Sequence, residues 1–384
     1  MQADKNTSIF LKSYDRSKWE KVRLGDICSV TTGKLDANAM HPYGKYAFFT
    51  CAKEVYKINN YAFDTEALLI SGNGSHVGYV HYYKGKFNAY QRTYVLDNFS
   101  VNIIFIKHLL DNKLAKRINI EKKSGNTPYI LRNTLCDMEI LKPVSTDEQF
   151  AIVDALQCVD SCISNLEKLI SKQENIKKST EKMLLTPKPG WKKFLLGDIC
   201  DVSGAGVDKK IRPNEERVIL LNYLDVYHKT YVHKSGLDHV VSAKAKQKNR
   251  CSVRKNDIFF TPSSETPDDI AKSCVAMEDM PDVAYSYHII RARPKIPCNS
   301  LFVKYACSTH DFFAQAETAC VGSGKRYVIS LPKFREFAIF VPEIAEQNII
   351  AKSLYDMDMQ IELLKQQLAK AQKVKQGLMS YFFG

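Results

Sequence analysis

Basic and amide side chains set in Gly- and Ser-containing loops are the residues of this chain that could do chemistry, and that chemistry is recognition of a polyanion. Lys209, Lys210 and Arg212 lie in a Gly-containing loop, and Lys244, Lys246, Lys248, Arg250 and Arg254 form a second cluster. Lys325 and Arg326 follow Gly322-Ser323-Gly324, while the first half carries Lys84, Lys86 and Arg92, then Lys122 and Lys123. An Arg fork matches guanine, Asn or Gln matches adenine, and Lys, Ser and Thr suit phosphates. On that chemistry the candidate DNA-contacting residues of the first half are Asn73, Ser75, His76, Arg92, Asn126 and Thr127. Those of the second half are Lys209, Lys210, Arg212, Lys248, Arg250, Ser263, Ser264, Lys325 and Arg326. Any one cluster alone reads as a solvated surface. A net charge of +13 and a pI near 9 give them all one sign, the footprint of a nucleic-acid partner.

Catalytic constellations are missing from the sequence. Gly324-Lys325 is followed by Arg326 and lacks the upstream spacing of a phosphate-binding loop. There is no Asn/Asp-Pro-Pro-Tyr motif of amino-methyltransferases. Pro267-Asp268 and Pro281-Asp282 lack the Glu-x-Lys partner that metal-dependent nucleases place nearby. The nine histidines are dispersed without HExxH, and His228, His233, His239 and His288 are open to core, surface or base-contacting roles. Eleven cysteines, an odd number without CxxC pairs, read as reduced thiols of a cytosolic protein rather than as a disulfide framework or a zinc site. No metal site and no catalytic residue is assigned.

These loops must be carried by a frame, and the frame occurs twice. Residues 19–30 read WEKVRLGDICSV and residues 191–202 read WKKFLLGDICDV, identical at eight of twelve positions and containing the only two tryptophans. A period this long marks a duplicated domain. Glu148-Gln149 and Glu346-Gln347 each open a helical pattern with apolar residues at alternating four- and three-residue steps. The first series is Ile152, Leu156, Val159, Ile163, Leu166 and Ile170, and the second is Ile350, Leu354, Met357, Ile361, Leu364 and Leu368. That spacing is a coiled-coil seam rather than one buried face. It weakens at Gln173 and Lys177, and at Ala371 and Lys375, before Leu184 and Phe382 finish the helices.

The chain divides into an extension (1–18), a first globular domain (19–145), a helical region (146–190), a second globular domain (191–343) and a final helical region (344–384). Strands are expected over 46–50, 67–70, 78–83 and 93–96, then over 218–221, 257–261 and 286–291. Single internal helices are expected over 101–118 and 301–316. The interval from tryptophan to glutamine grows from 130 residues to 156 in the second copy, an excess expected in loops. The loop pair 71–75 and 124–133 corresponds to one around Ser263 and Tyr327. No apolar run reaches about 18 residues, so no membrane span is expected, and the polar N-terminus does not read as a secretory signal. The fold class is α+β: two similar mixed α/β domains separated by two long helices that form an antiparallel, pseudo-twofold coiled coil. Each helix is ~55 Å long at about 1.5 Å per residue.

The two domain starts, the strand–loop elements EALLISGNGSHVGYV and NDIFFTPSSE, the helix heads DEQFAIVDAL and AEQNIIAKSL, and the tails KKSTEKMLLT and KQGLMSYFFG together resemble the specificity subunit of type I restriction-modification systems. The resemblance covers about residues 19–384. It implies two target recognition domains that each read half of a bipartite, asymmetric double-stranded DNA target. The helices would then set the spacing and dock two modification (methyltransferase) subunits, with a restriction subunit added. S-adenosylmethionine, ATP and Mg would belong to those partners, and this chain would be a non-catalytic cytoplasmic protein. The alternative is a coiled-coil assembly scaffold with incidental DNA binding.

Overall fold

The computed structural model describes residues 16–121 and 129–384. Residues divide into two compact units, Met1–Glu167 with Gln366–Gly384, and Lys168–Lys365. Each unit contains one globular copy and a part of both long helices.

In the first unit β1 (Trp19–Arg23) pairs antiparallel with β8 (Glu139–Pro143), joining the start of the copy to its end. A six-stranded sheet follows, in the order β2 (Ser29–Thr32), β7 (Thr93–Asp97), β5 (Phe63–Ser71), β6 (Val80–Ala89), β3 (Tyr46–Phe49) and β4 (Tyr56–Ile58). Only β3 and β6 are parallel within it. Central β5 sends alternate side chains to opposite faces. Leu68 and Ile70 join Phe105, Leu109 and Leu110 of the helix Ile103–Glu121, whereas Ala67 and Leu69 join Phe49, Phe87 and Val95. Each fully buried Leu, Ile, Val or Phe among them contributes about 1.5–3 kcal/mol.

The second unit repeats this frame. β9 (Lys192–Leu195) pairs with β22 (Ala338–Val341). The order β10 (Cys200–Ser203), β19 (Ile290–Pro294), β15 (Ile258–Phe260), β17 (Ser273–Ala276) matches β2, β7, β5, β6. Central β15 again splits its side chains, Ile258 and Phe260 to one core and Phe259 to the other. The longer stretch of this copy carries short helices and strands as well as loops. A second sheet has the order β13 (Val240–Ala243), β11 (Glu216–Leu221), β18 (Met280–Tyr285), β14 (Ser252–Val253); its parallel pair β11–β18 repeats β3–β6, while the edge strands β13 and β14 lie in the longer stretch between β11 and β15. Its alternating Val218, Leu220, Val241 and Val283 are buried in a core that loops could not have covered.

Two expectations are corrected. The strand expected over 286–291 is a turn followed by β19, because Ser286 accepts the amides of His288 (through Oγ, 3.3 Å) and Ile289 (through its carbonyl, 3.1 Å). The single helix expected over 301–316 is two, Ser300–Ala306 and His310–Ala319, because the side chain of Thr309 caps a new start at the amide of Phe312.

The long helices run Thr146–Leu185 and Ile344–Phe383. In each unit their segments are antiparallel. In the second, Glu174 pairs with Lys365 (2.7 Å) and Lys177 with Asp358 (2.6 Å), so numbering rises on one helix as it falls on the other. In the first, Ile152 and Leu156 share a core with Phe382, and Asp160 pairs with Lys375 at 2.6 Å. Along the expected seam Ile152, Leu156, Ile170, Ile350, Leu354 and Ile361 are buried, and Val159, Ile163, Leu166, Met357, Leu364 and Leu368 partly so.

Candidate nucleic-acid interface

The repeated residues make the same clasp in both units. Trp19 Nε1 donates to Glu148 (2.9 Å) and Trp191 Nε1 to Glu346 (3.3 Å). Gln149 donates to the carbonyl of Pro143 and accepts the amide of Asn102, both at 3.1 Å. Gln347 does the same with Pro342 and Asn299, both at 2.9 Å. Asn102 and Asn299 in turn cap the internal helices at Phe105 and Phe302, against whose rings Trp19 and Trp191 pack edge-on. Leu24 and Leu196, each opening an LGDI turn, donate to the carbonyls of Met138 and Phe337 (2.9 and 2.8 Å). Thus domain start, internal helix and long helix meet at one buried point per unit. No nucleic-acid chemistry resides there; the clasp fixes where the loops stand.

The loops lie at the ends of the central strands. In the first unit the chain leaves β5 at Ser71 and turns back through residues 72–77 into β6. Asn73 bridges to Tyr129, and the amide of Ile130 donates to the carbonyl of Gly72 (2.8 Å). The amide of Gly72 donates to the carbonyl of Arg92 (2.9 Å), and a Cβ at position 72 would stand 2.3 Å from that oxygen, so only glycine allows the approach. The structure therefore brings Asn73 and Arg92 to one place. Ser75 is exposed two residues on, with half-exposed His76 beside it. Asn126 and Thr127 lie outside the described residues.

In the second unit β16 (Ser263–Ser264) pairs with β21 (Arg326–Val328), which forms a hairpin with β20 (Val321–Ser323). Gly324, at φ +66°, turns its tip and leaves Lys325 and Arg326 exposed. The amide of Ile329 donates to the carbonyl of Pro262 at 2.8 Å, the counterpart of the Ile130–Gly72 bond. That bond equates Tyr129 with Val328, one residue away from the pairing with Tyr327 expected from sequence. Ser263, Ser264, Lys325 and Arg326 are thus gathered in one small sheet, with the Ser264 hydroxyl turned back onto Thr266. Lys209 and Lys210 are exposed. His288 stands near enough to Lys209 and Arg326 that, after burial itself, both lower its pKa, which keeps the ring neutral at neutral pH.

Two expected contacts are otherwise engaged. Arg212 pairs with Asp208 (2.8 Å), and Lys248 pairs with Glu216 (2.7 Å) from a helix, Ala245–Cys251, apart from the hairpin. Arg250 is exposed at the end of that same helix. Lys84 and Lys86 likewise face Glu66 and Asp64. Sequence reasoning missed the aromatic side of the surface. Tyr129 is 53% exposed beside Asn73, Tyr287 is 49% exposed against His288, and Lys53 lies over the ring of Tyr79. Their signal was an aromatic next to a Gly- or Ser-containing loop, a pattern too common to single out without the fold.

The sequence profile of the type I restriction modification DNA specificity domain matches residues 16–175 and 188–373. The chain belongs to that family. A stretch of 158 residues is 40% identical to the type I restriction enzyme EcoDI specificity subunit of Escherichia coli, covering 41% of this chain and 34% of that protein. The match thus spans about a third of the relative's length. Among solved structures, the S subunit of a type I restriction-modification system from M. genitalium superposes with a TM-score of 0.64 at 17% identity, over 95% of this chain and 96% of that one. A chain from a structure on complex assembly and conformational transition of the type I R-M system gives 0.53 at 12% identity, over 95% and 97%. At such identities the likeness is one of fold. Among the described residues, no helix is long and apolar enough to cross a membrane.

Proposed function

We propose that this chain is the non-catalytic DNA-reading subunit of a type I restriction-modification complex. One observation carries the reading: a loop after the central strand is zipped to a late loop by the same backbone bond in both units, while the side chains presented differ. A repeated mount with unrepeated contacts is what reading two different half-sites requires. Asn73, Ser75, His76 and Arg92 would read one half. Lys209, Lys210, Ser263, Lys325 and Arg326 would read the other, with exposed cations on phosphates and the amide or guanidinium groups on base edges. Arg212, Lys248 and Arg250 would serve as phosphate contacts at the margin, and Ser264 would act through its backbone. The domain boundaries at 19–145 and 191–343 are the limits of the two readers on this view. The paired helices would set the spacing between half-sites and dock two methyltransferase subunits, a restriction subunit completing the complex in the cytoplasm. S-adenosylmethionine, ATP and Mg would be bound by those partners, and this chain would supply none of the reacting groups. Mapping N6-methyladenine in the host genome with and without this gene tests the proposal. Loss of one bipartite motif is expected, and an unchanged methylome refutes it.

A further inference from the structure

Two lysines interrupt the apolar seam, Lys177 and Lys375, 198 residues apart. Each reaches an aspartate of the opposite helix, Asp358 and Asp160, also 198 residues apart, at 2.6 Å in both units. We propose that this duplicated Lys–Asp pair is the register lock of the helix pair, and that its four residues determine which spacer length the chain accepts. The second half of that statement rests on the DNA-reading function proposed above; the first does not.

The argument is one of degeneracy. A purely apolar 4-3 seam maps onto itself when one helix slides by seven residues, so it specifies register weakly, whereas a polar group at a seam position specifies it strongly. Sliding one heptad in one sense would carry Lys375 to Val153 and Lys177 to Ala351, both buried and apolar. Sliding in the other sense would carry Lys375 to Glu167 but Lys177 to Lys365, a like charge. The Lys375–Asp160 pair alone leaves the second alternative open, whereas the Lys177–Asp358 pair disfavours both; together they leave only the observed register. An unpaired ammonium held against apolar side chains is costly, so the lock discriminates through the mismatched state rather than through the strength of the native pair.

The two pairs are not equally embedded. Asp358 also accepts the hydroxyls of Tyr231 and Tyr305, both at 2.7 Å, and its side chain is 15% exposed against 37% for Asp160. The first-unit residue standing where Tyr305 stands, counted from the capping Asn102 and Asn299, is His108. It is buried, and among the described residues its Nε2 has no hydrogen-bond partner. The second unit therefore holds the register more firmly, and the first-unit pair is the one that can be exchanged with least damage.

The test uses the full chain with Asp160→Lys, Lys375→Asp and the double exchange. Reconstituted with the methyltransferase subunits, each is assayed for adenine methylation on duplexes whose half-sites carry the native spacer or one base pair more or fewer. Each single variant should lose spacer discrimination by at least about tenfold, and the double exchange should restore it to within about twofold. Thermal unfolding of the same proteins, without DNA, should show the same loss and rescue. Should a single variant fail to fold, Lys375→Gln, which removes the charge without adding repulsion, takes its place. Unaltered spacer preference in stable single variants overturns the proposal, as does a double exchange that rescues neither readout. An unmutated chain that directs no bipartite methylation instead sinks the DNA-reading function, and the unfolding series then still decides on the lock.

Discussion

Gln149→Ala removes one side chain from the clasp and nothing from the proposed DNA-facing surface. Gln149 is 3% exposed and makes two hydrogen bonds, to the Pro143 carbonyl and from the Asn102 amide. Two neutral bonds are worth about 1 kcal/mol each net, and the loss rises where a group is left desolvated and unpaired, for a total of about 2–4 kcal/mol. Asn102 also caps the helix Ile103–Glu121, so the loss loosens three elements together. For a unit of this size about 1 kcal/mol moves Tm by roughly 2–4 °C, which predicts a drop of about 5–15 °C in the first unit. The tryptophans supply the assay. In a Trp191→Phe background the remaining indole, Trp19, lies in the first unit beside the clasp and reports that unit's unfolding. Gln347→Ala read through Trp191 in a Trp19→Phe background should behave alike, since its two bonds are the same. A first-unit midpoint that moves by less than about 2 °C would refute the clasp as the organising contact. So would an equal drop in both units from the single Gln149 change.

Other expectations follow from the same geometry. Arg326→Ala should lower the magnitude of the salt slope of DNA binding by about 1; Arg212→Ala, whose guanidinium pairs with Asp208, should change it by less than half as much in filter-binding titrations. Burial raises the carboxyl of Asp358, but the hydrogen bonds from Lys177, Tyr231 and Tyr305 outweigh it and hold the pKa below the usual range. A depressed pKa stabilises above the unfolded value near ~4 and is lost as pH falls through the folded one. Wild type should therefore exceed Asp358→Asn by about 1.5–3 kcal/mol at neutral pH, the worth of hydrogen bonds to a charged group, and the gap should shrink below about pH 4 in denaturant titrations; a gap independent of pH refutes the assignment. Cys158 and Cys162 are exposed, whereas burial pushes the thiols of Cys28 and Cys200 up to about 12. Alkylation followed by peptide mapping should modify the first two fastest, and early labelling of Cys200 would contradict its burial.

Much of the frame was legible in the sequence because its signals are local or periodic. The seam steps from Ile152 to Ile170 and from Ile350 to Leu368 need only a helical period to be read, and WxKxxLGDIC announces itself by recurring. The site was legible in part. Asn73, Ser263, Lys325 and Arg326 stand at the zipped loops, where small residues next to a strand end placed them. The ion pairs of Arg212 and Lys248 were not legible because charge is visible in sequence while its partner is not: Glu216 is 32 residues from Lys248. Tyr129 and Tyr287 passed unnoticed because an exposed aromatic cannot be told from a core one without knowing which face it takes.

What the sequence determined by itself was the duplication, the length and period of both long helices, and the strand-then-loop order of each copy, all set by residues near one another in the chain. Tertiary structure alone decided that the second copy has a separate sheet beside its central one, that Trp, Glu, Gln and Asn from three elements close one clasp, and that Lys177 and Lys375 each pair with an aspartate of the opposite helix rather than being defects of the seam. Those facts depend on contacts between residues that are distant in the chain, and pairing across such distances leaves no periodic trace in either segment.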